Sequence, residues 1–365
     1  MLGKLKGALI STGVGAIVVA MGSLVALFKK AADVGADFEK SLSTLKAVTG
    51  QSSDELAILS NQAKELGSST QFTAIQVLGL QTELAKLGFT VKDIENSTPA
   101  ILDLAASLEV DLASAAEFAG SVVRSFGLTT EETQRVVDVM ALSTSSSALN
   151  FEALRESLKL VAPTSRATGV SIEKTAALLG VLANNGLKGS VAGTGLSKTF
   201  IELNKKGLTL EEGMAKVANS SNKLNTAIEL VGVVGAKSFL SLAESGEQIN
   251  QLEKDFEGAE GAARAMAEVR LDNLAGDTTK LSSAWEGFLL GLEDGEGLIN
   301  KIQRFSIQAL TKGITALGTI IDFLGFSFKE TWSDIKLITS SSVDFLKGSL
   351  LILGSGIKLF ANEAI

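Results

Sequence analysis

The run Gly186-Leu187-Lys188-Gly189-Ser190-Val191-Ala192-Gly193-Thr194-Gly195 has the composition of a loop that wraps phosphate oxygens. Such loops aim backbone N–H groups at an anion ahead of a helix N-terminus and depend on fixed glycine positions. This run fits neither GxxxxGK[ST] nor GxGxxG, and no strand pattern precedes it, so it reads as a connector between helices. Ser43-x-x-Lys46 and Ser220-x-x-Lys223 have the spacing of a hydroxyl nucleophile with an activating lysine, but each lacks the other elements of such sites. The paired carboxylates Glu131-Glu132 and Glu211-Glu212 fall in the first turns of predicted helices, where negative charge suits the helix dipole. The chain has no His, no Cys and no Tyr, which removes thiol chemistry, proton shuttling at neutral pH and the usual zinc ligands. No catalytic, cofactor or metal-binding residue is assigned, and the chain reads as non-enzymatic.

The elements that would hold any site are helices. Only Pro99 and Pro163 interrupt 365 residues, strand-like alternation is absent, and Ala, Leu, Lys and Glu recur at helical spacing. Ser52-x-x-Glu55, Thr73-x-x-Gln76, Thr129-x-x-Glu132 and Thr209-x-x-Glu212 have capping-box spacing, and Thr98-Pro99 reads as an N-cap before a first-turn proline. Gly67, Gly88, Gly127, Gly169 and Gly186 fall where apolar periodicity stops, as C-terminal caps do. These signals predict an all-α fold with seven or eight helices before residue 206. Leu56, Leu59, Leu66, Phe72, Leu84, Leu87, Ile101, Leu104 and Leu108 are candidates for one compact core.

Four segments follow from this pattern: an apolar helix over 1–36, a compact multi-helix domain over 37–206, a helical arm over 207–300, and apolar or amphipathic helices over 301–365. Residues 7–28 carry no charge and are bracketed by Lys4, Lys6, Lys29 and Lys30; 22 residues rise roughly 33 Å as a helix, enough to cross a bilayer. The residues expected to meet lipid are Leu9, Ile10, Val14, Ile17, Val18, Val19, Leu24, Val25, Leu27 and Phe28. Ser11 with Gly15, Ala16 with Ala20, and Gly22 with Ala26 are small-residue pairs that let helices pack closely, in lipid or inside a dry assembly. The balanced lysines leave orientation open.

The arm carries a three-four apolar spacing. Ile249, Leu252, Phe256, Ala259, Ala263 and Met266 form one run, and Leu274, Thr278, Leu281, Trp285, Phe288 and Leu292 form a second. Both an intramolecular hairpin and oligomerisation fit it. In the last segment Asp322, Lys347 and Lys358 interrupt the apolar runs, and the chain stops without a clear helix-stop signal.

Net charge is −8; the ends carry +3 over residues 1–36 and +2 over 301–365, leaving −13 for residues 37–300. So acidic a middle repels a phosphate backbone, and direct nucleic-acid binding is not expected.

The order of several short motifs is more specific than composition. Asp37-Phe38-Glu39, Ala47-Val48-Thr49-Gly50, the run from Leu66 to Ala74, the run from Glu83 to Phe89, and Leu102-Asp103-Leu104-Ala105 stand in series. They continue through Ser125-Phe126-Gly127-Leu128, Val137-Asp138-Val139-Met140-Ala141, Gly169-Val170-Ser171, Gly186-Leu187-Lys188-Gly189-Ser190 and Ala192-Gly193-Thr194. This series resembles the core region of phage tail tape measure proteins over about residues 37–206. The resemblance implies a structural virion protein, present as a homo-oligomer in the tail lumen, that sets tube length and leaves ahead of the DNA. It further implies tail tube protein, tail assembly chaperones and distal tail or baseplate proteins as partners, assembly in the host cytoplasm, and the host membrane as a target for the apolar segments. Family members commonly add long coiled coils, and some add a cell-wall hydrolase domain; neither is evident here. A membrane-active, pore-forming or toxin-like helical protein is the alternative from another class, and an enzyme on a helical scaffold a third.

Overall fold

The computed structural model describes residues 30–31 and 33–293, and those residues contain helices and no strand. The apolar segment 7–28, with its ten lipid-facing and six helix-packing residues, and the segment 301–365 lie outside the described residues. The helices are α1 (33–49), α2 (Ser53–Ser69), α3 (Ala74–Lys86), α4 (Val91–Leu108), α5 (Leu112–Phe126), α6 (Thr133–Ser145), α7 (Phe151–Ala167), α8 (Ile172–Asn184) and α9 (Gly189–Lys205). They continue as α10 (Leu210–Ala218), α11 (Lys223–Ala243), α12 (Gly246–Glu257), α13 (Ala262–Leu271) and α14 (Leu274–Glu293), and a single 3-10 turn (Thr130–Glu132) leads into α6.

One connector recurs among the described residues. A helix ends at a residue in the left-handed region, an apolar residue follows, and the next residue opens the following helix. The sequences are Gly88-Phe89-Thr90, Glu109-Val110-Asp111, Gly127-Leu128-Thr129, Gly169-Val170-Ser171, Gly186-Leu187-Lys188 and Gly207-Leu208-Thr209. In every case the apolar residue's N–H returns to the carbonyl five residues back, at 2.8–3.2 Å, from Phe89 to Leu84 through Leu208 to Leu203. This is the Schellman arrangement, which satisfies carbonyls that a helix end leaves without partners. The apolar side chain packs against the core each time. Thr90, Asp111, Ser171 and Thr209 then accept from the backbone N–H three residues on.

Three expectations are corrected. Thr98-Pro99 does not start a helix: Thr90 caps α4, with Asp93 completing the box, and Pro99 lies inside it. Proline lacks the N–H that would bond the Glu95 carbonyl, and Gln62 Nε2 of α2 donates to that carbonyl instead at 2.8 Å. The Thr98 hydroxyl also folds back on Ile94 O, at 2.6 Å. Gly67 is not a helix stop; it is buried inside α2, where any side chain would strike the backbone of Ala74. Up to Lys205 the described residues hold nine α-helices rather than seven or eight, because the short connectors leave little sequence between them.

The core is one hydrophobic cluster running from Phe38 to Leu290. Residues 207–300 were expected to form an arm, yet residues 207–290 belong to this compact unit, which extends to Leu290. Ile249, Leu252, Phe256, Ala259 and Ala263, the first three-four run, are buried in it, with Met266 packed alongside. α9 packs between α7 and α11 through glycine: a Cβ at Gly193 would lie 2.6 Å from the Ser157 carbonyl of α7.

α13 is held by a carboxylate from elsewhere in the sequence. Its own N-cap, Gly261, has no side chain, and the buried Asp138 of α6 accepts from Gly261 N at 3.0 Å and Ala263 N at 2.9 Å. Gln134 donates to the same carboxylate at 3.1 Å. On the facing helix α4, burial pushes the Asp103 carboxyl up to about 6; Arg264 opposes this, and Asp138 and Glu268 reinforce it.

The connector geometry sets opposite outcomes for two substitutions. Glu109 sits at φ 54° where the other connectors carry glycine, whereas Gly169 sits at φ 73° with open space around its missing side chain. Gly169→Ala is expected to destabilise by about 1 kcal/mol through backbone strain alone. Glu109→Gly is expected to stabilise by up to about 1 kcal/mol, less the small contribution of an exposed ion pair with Arg270. Thermal unfolding of both variants checks the sign. For Asp103 the folded-state value lies above the ordinary 3.8, so the stability its neutral form contributes is present below pH 4 and lost as pH rises through about 6. Asp103→Asn is expected to raise stability at pH 7.5 by about 1 kcal/mol, after solvent screening of a partly exposed carboxyl is discounted, and to flatten the slope between pH 4 and 7 in the same measurement.

Candidate functional site

The glycine-rich run considered for phosphate opens α9, and the position an anion would take is already filled. Glu156 of α7 accepts from Ser190 N at 3.2 Å, and a side chain at Gly189 would strike the same carboxylate. Ser157 closes the turn by donating to Gly189 O at 2.9 Å. Lys188, a residue unable to accept, stands at the N-cap, so the carboxylate from α7 replaces the missing cap.

Most of the remaining sequence candidates are likewise absorbed into structure. Ser43 and Lys46 are exposed on α1. Ser220 shares a hydrogen bond of 2.7 Å with Thr226, while Lys223 pairs with Glu244 at 3.3 Å, so that serine and lysine do not act on each other. Glu132 accepts from Thr129 N at 3.0 Å and Glu212 from Thr209 N at 2.9 Å, each as the third residue of a cap. Glu131 meets Asn96, and Glu211 lies 3.5 Å from Lys174. Among the described residues no group of three or more acidic side chains is placed to hold a metal ion.

Two open clefts among the described residues have volumes of about 250 and 270 Å³. In the first, the half-buried Lys174 is bound by Glu253 at 2.6 Å as well as by Glu211, which leaves its ammonium satisfied. In the second, Arg124 lies over the Phe89 ring at 5.2 Å. Burial there tends to raise the Asp93 carboxyl, but hydrogen bonds from Thr90 and Thr130 hold it below the usual range. Neither cleft places a free nucleophile beside a base.

What the surface does offer is apolar. α11 is the one described helix long and apolar enough to cross a membrane by length and composition. It breaks helical geometry at Gly232 and buries Ala227, Val231, Ala236, Phe239 and Leu242 in the core, while Val233 and Val234 beside the break are exposed. The larger feature is α14. It meets the body along Ser283, which donates to Gln71 O at 2.7 Å, and Gly287, which lies against Ser68. On its other side Leu274 is 79% and Leu281 70% exposed, and Trp285 and Phe288 stack with ring centres 5.3 Å apart while remaining exposed. These residues belong to the second three-four run and are left uncovered while the first run is buried. Sequence spacing alone treats the two runs alike.

Comparison with known proteins gives the family. The family model for phage-related minor tail proteins matches residues 60–284, from within α2 to within α14. A tape measure protein of Pneumococcus phage Dp-1 is 30% identical over 281 residues, covering 69% of this chain and 24% of that relative. A probable tape measure protein of Escherichia phage P2 is 27% identical over 343 residues, covering 85% of this chain and 42% of the relative. The chain thus spans less than half the length of either relative. No solved structure matches. With its all-helical fold, the chain belongs to the phage-related minor tail proteins, and within them to the tape measure proteins of phage tails.

Proposed function

We propose that the chain acts as a structural, non-enzymatic tape measure: copies lie in the tail lumen, limit tube length during assembly in the host cytoplasm, and deliver apolar segments to the host membrane as the DNA leaves. The observation that carries this reading is the match to two tape measure proteins over 69% and 85% of the chain. The internal use of its polar groups supports it, since the carboxylates beside helix starts serve as caps. Tail tube protein, assembly chaperones and distal tail or baseplate proteins are the partners this role requires. The acidic middle, −13 over residues 37–300, disfavours a direct grip on the DNA that shares the tube.

Helix geometry constrains how such a ruler works. Even wholly helical, 365 residues would reach only about 550 Å at roughly 1.5 Å each. Residues 33–290 are folded back on one another, so they contribute a body of fixed size rather than length in proportion to their number. Length must be counted on extended helix elsewhere in the ruler.

A phage carrying 44 extra helix-forming residues inserted after Glu293 is therefore expected to grow tails longer by roughly 66 Å, measured by electron microscopy. Unchanged tail length in infectious particles would sink the ruler reading. The membrane role predicts a different phenotype for Val18→Lys: a charge near the centre of a spanning helix costs about 2.5 to 3.5 kcal/mol, so ejection of DNA into cells should fall while tails keep normal length. Loss of tail assembly instead would assign the segment to helix packing.

A further inference from the structure

We propose that the folded body is a closed loop on the ruler: the chain enters and leaves it at one place, where the start of α1 and the end of α14 are clasped side by side on the α2–α3 turn, and the body adds only the width of that clasp to the measured length. The inference rests on the tape measure reading and deepens it, by stating how a folded body is carried in series with the extended helix that counts length.

Both ends of the body touch the same short stretch of chain. On α1, Phe38 is buried and the Lys64 ammonium of α2 lies over its ring, 5.4 Å from the centre. On α14, Gly287 comes so near to α2 that a Cβ there would lie 3.0 Å from the Cβ of Ser68. Lys64 and Ser68 stand four residues apart, neighbours on one face of α2. The turn that follows carries the rest of the clasp. The buried Ser283 of α14 donates to Gln71 O at 2.7 Å. Burial raises the Glu286 carboxyl above the usual carboxylate range; hydrogen bonds from Thr73 and the Ile75 backbone, at the start of α3, oppose this, and the charge of Asp37 on α1 reinforces it. Asp37 and Glu286 thus meet although nearly the whole body lies between them in sequence.

A chain whose two ends meet is a loop, whatever its interior holds. As one helix, residues 33–290 would reach roughly 390 Å, and as a compact body they measure about 47 Å across. Neither distance separates the ends. Entry and exit stand apart by about the 8–10 Å of two packed helices, so tension along the ruler loads the clasp and bypasses the core. A body of this kind can be large without lengthening the tail.

The absence of cysteine makes the clasp directly testable. In phage carrying the full-length protein with Asp37→Cys and Glu286→Cys together, a short bifunctional maleimide should join the two thiols within one chain, in the purified protein and in assembled tails alike. The expected yield is at least several-fold above that of links between chains, with circular dichroism of the purified variant showing that helix content is kept. Linkage in the purified protein but not in tails would mean that the body is opened in the tube, and linkage in neither would mean that the ends do not meet; both overturn the proposal. A second variant reads length. Ser221 is exposed in the turn between α10 and α11, and flexible insertions in such loops are well tolerated. Inserting 44 Gly and Ser residues after Ser221 should leave tails unchanged, whereas a ruler threaded through an opened body would lengthen by roughly 36 Å. Longer tails would overturn the proposal, and if this variant assembles none, the cross-link in tails of the cysteine pair decides. The ruler reading is judged separately: tails that fail to lengthen with the helix inserted after Glu293 reject it, whatever the cross-linking yield.

Discussion

Every α-helix end leaves carbonyls that need partners, and the architecture of this protein follows from meeting that need in the smallest possible space. Six connectors among the described residues stop one helix with a left-handed residue and open the next two residues later. Such a turn cannot be drawn out into a loop, so consecutive helices are forced back against each other. The intervening apolar residue, from Phe89 to Leu208, becomes a plug in the shared core. Tight turning is thus coupled to burial at each of these six steps, and apart from the α6–α7 junction the helices α3 to α10 have little freedom to adopt another path.

Where the connector scheme lacks a local partner, a distant side chain supplies it. Lys188 cannot cap α9, and Glu156 does so from α7; Gly261 cannot cap α13, and Asp138 does so from α6. Pro99 deprives Glu95 of its backbone donor, and Gln62 provides another. Each substitution ties helices that are remote in sequence, at separations of 34, 123 and 33 residues. A missing local bond is converted in each case into a tertiary tie, and at the buried Asp138 the tie is strongest, since a buried polar group without a partner is costly. Most of the groups that resemble chemistry in the sequence are therefore occupied as structural members.

Two helical regions with the same three-four spacing meet different fates. The run on α12 and α13 is sealed by α4, α6 and α8, whereas the run on α14 faces outward. Within a phage tail protein that contrast separates a body that keeps its own shape from a surface available to other molecules. It also explains why residue count and physical length are decoupled over residues 33–290: the body is closed by its core.

The sequence by itself determined the helical class, the family and the individual start and stop signals. Capping boxes at Ser52, Thr73, Thr129 and Thr209 and glycine stops at Gly88, Gly127, Gly169 and Gly186 are local, because cap geometry spans only four or five residues. Glu109 escaped that reading because its left-handed backbone is imposed by the flanking helices rather than by its own preference. Gly67 and Thr98-Pro99 carried the right residue types for helix ends, yet both lie within helices, the first where α2 and α3 approach too closely for a side chain and the second where Gln62 compensates the proline. Only the tertiary structure decided that residues 207–290 close the core instead of leaving it, and which of two equally spaced apolar runs stays open. Period reports that a helix has an apolar face; what covers that face depends on helices more than a hundred residues away, such as the α6 carboxylate that fixes the start of α13.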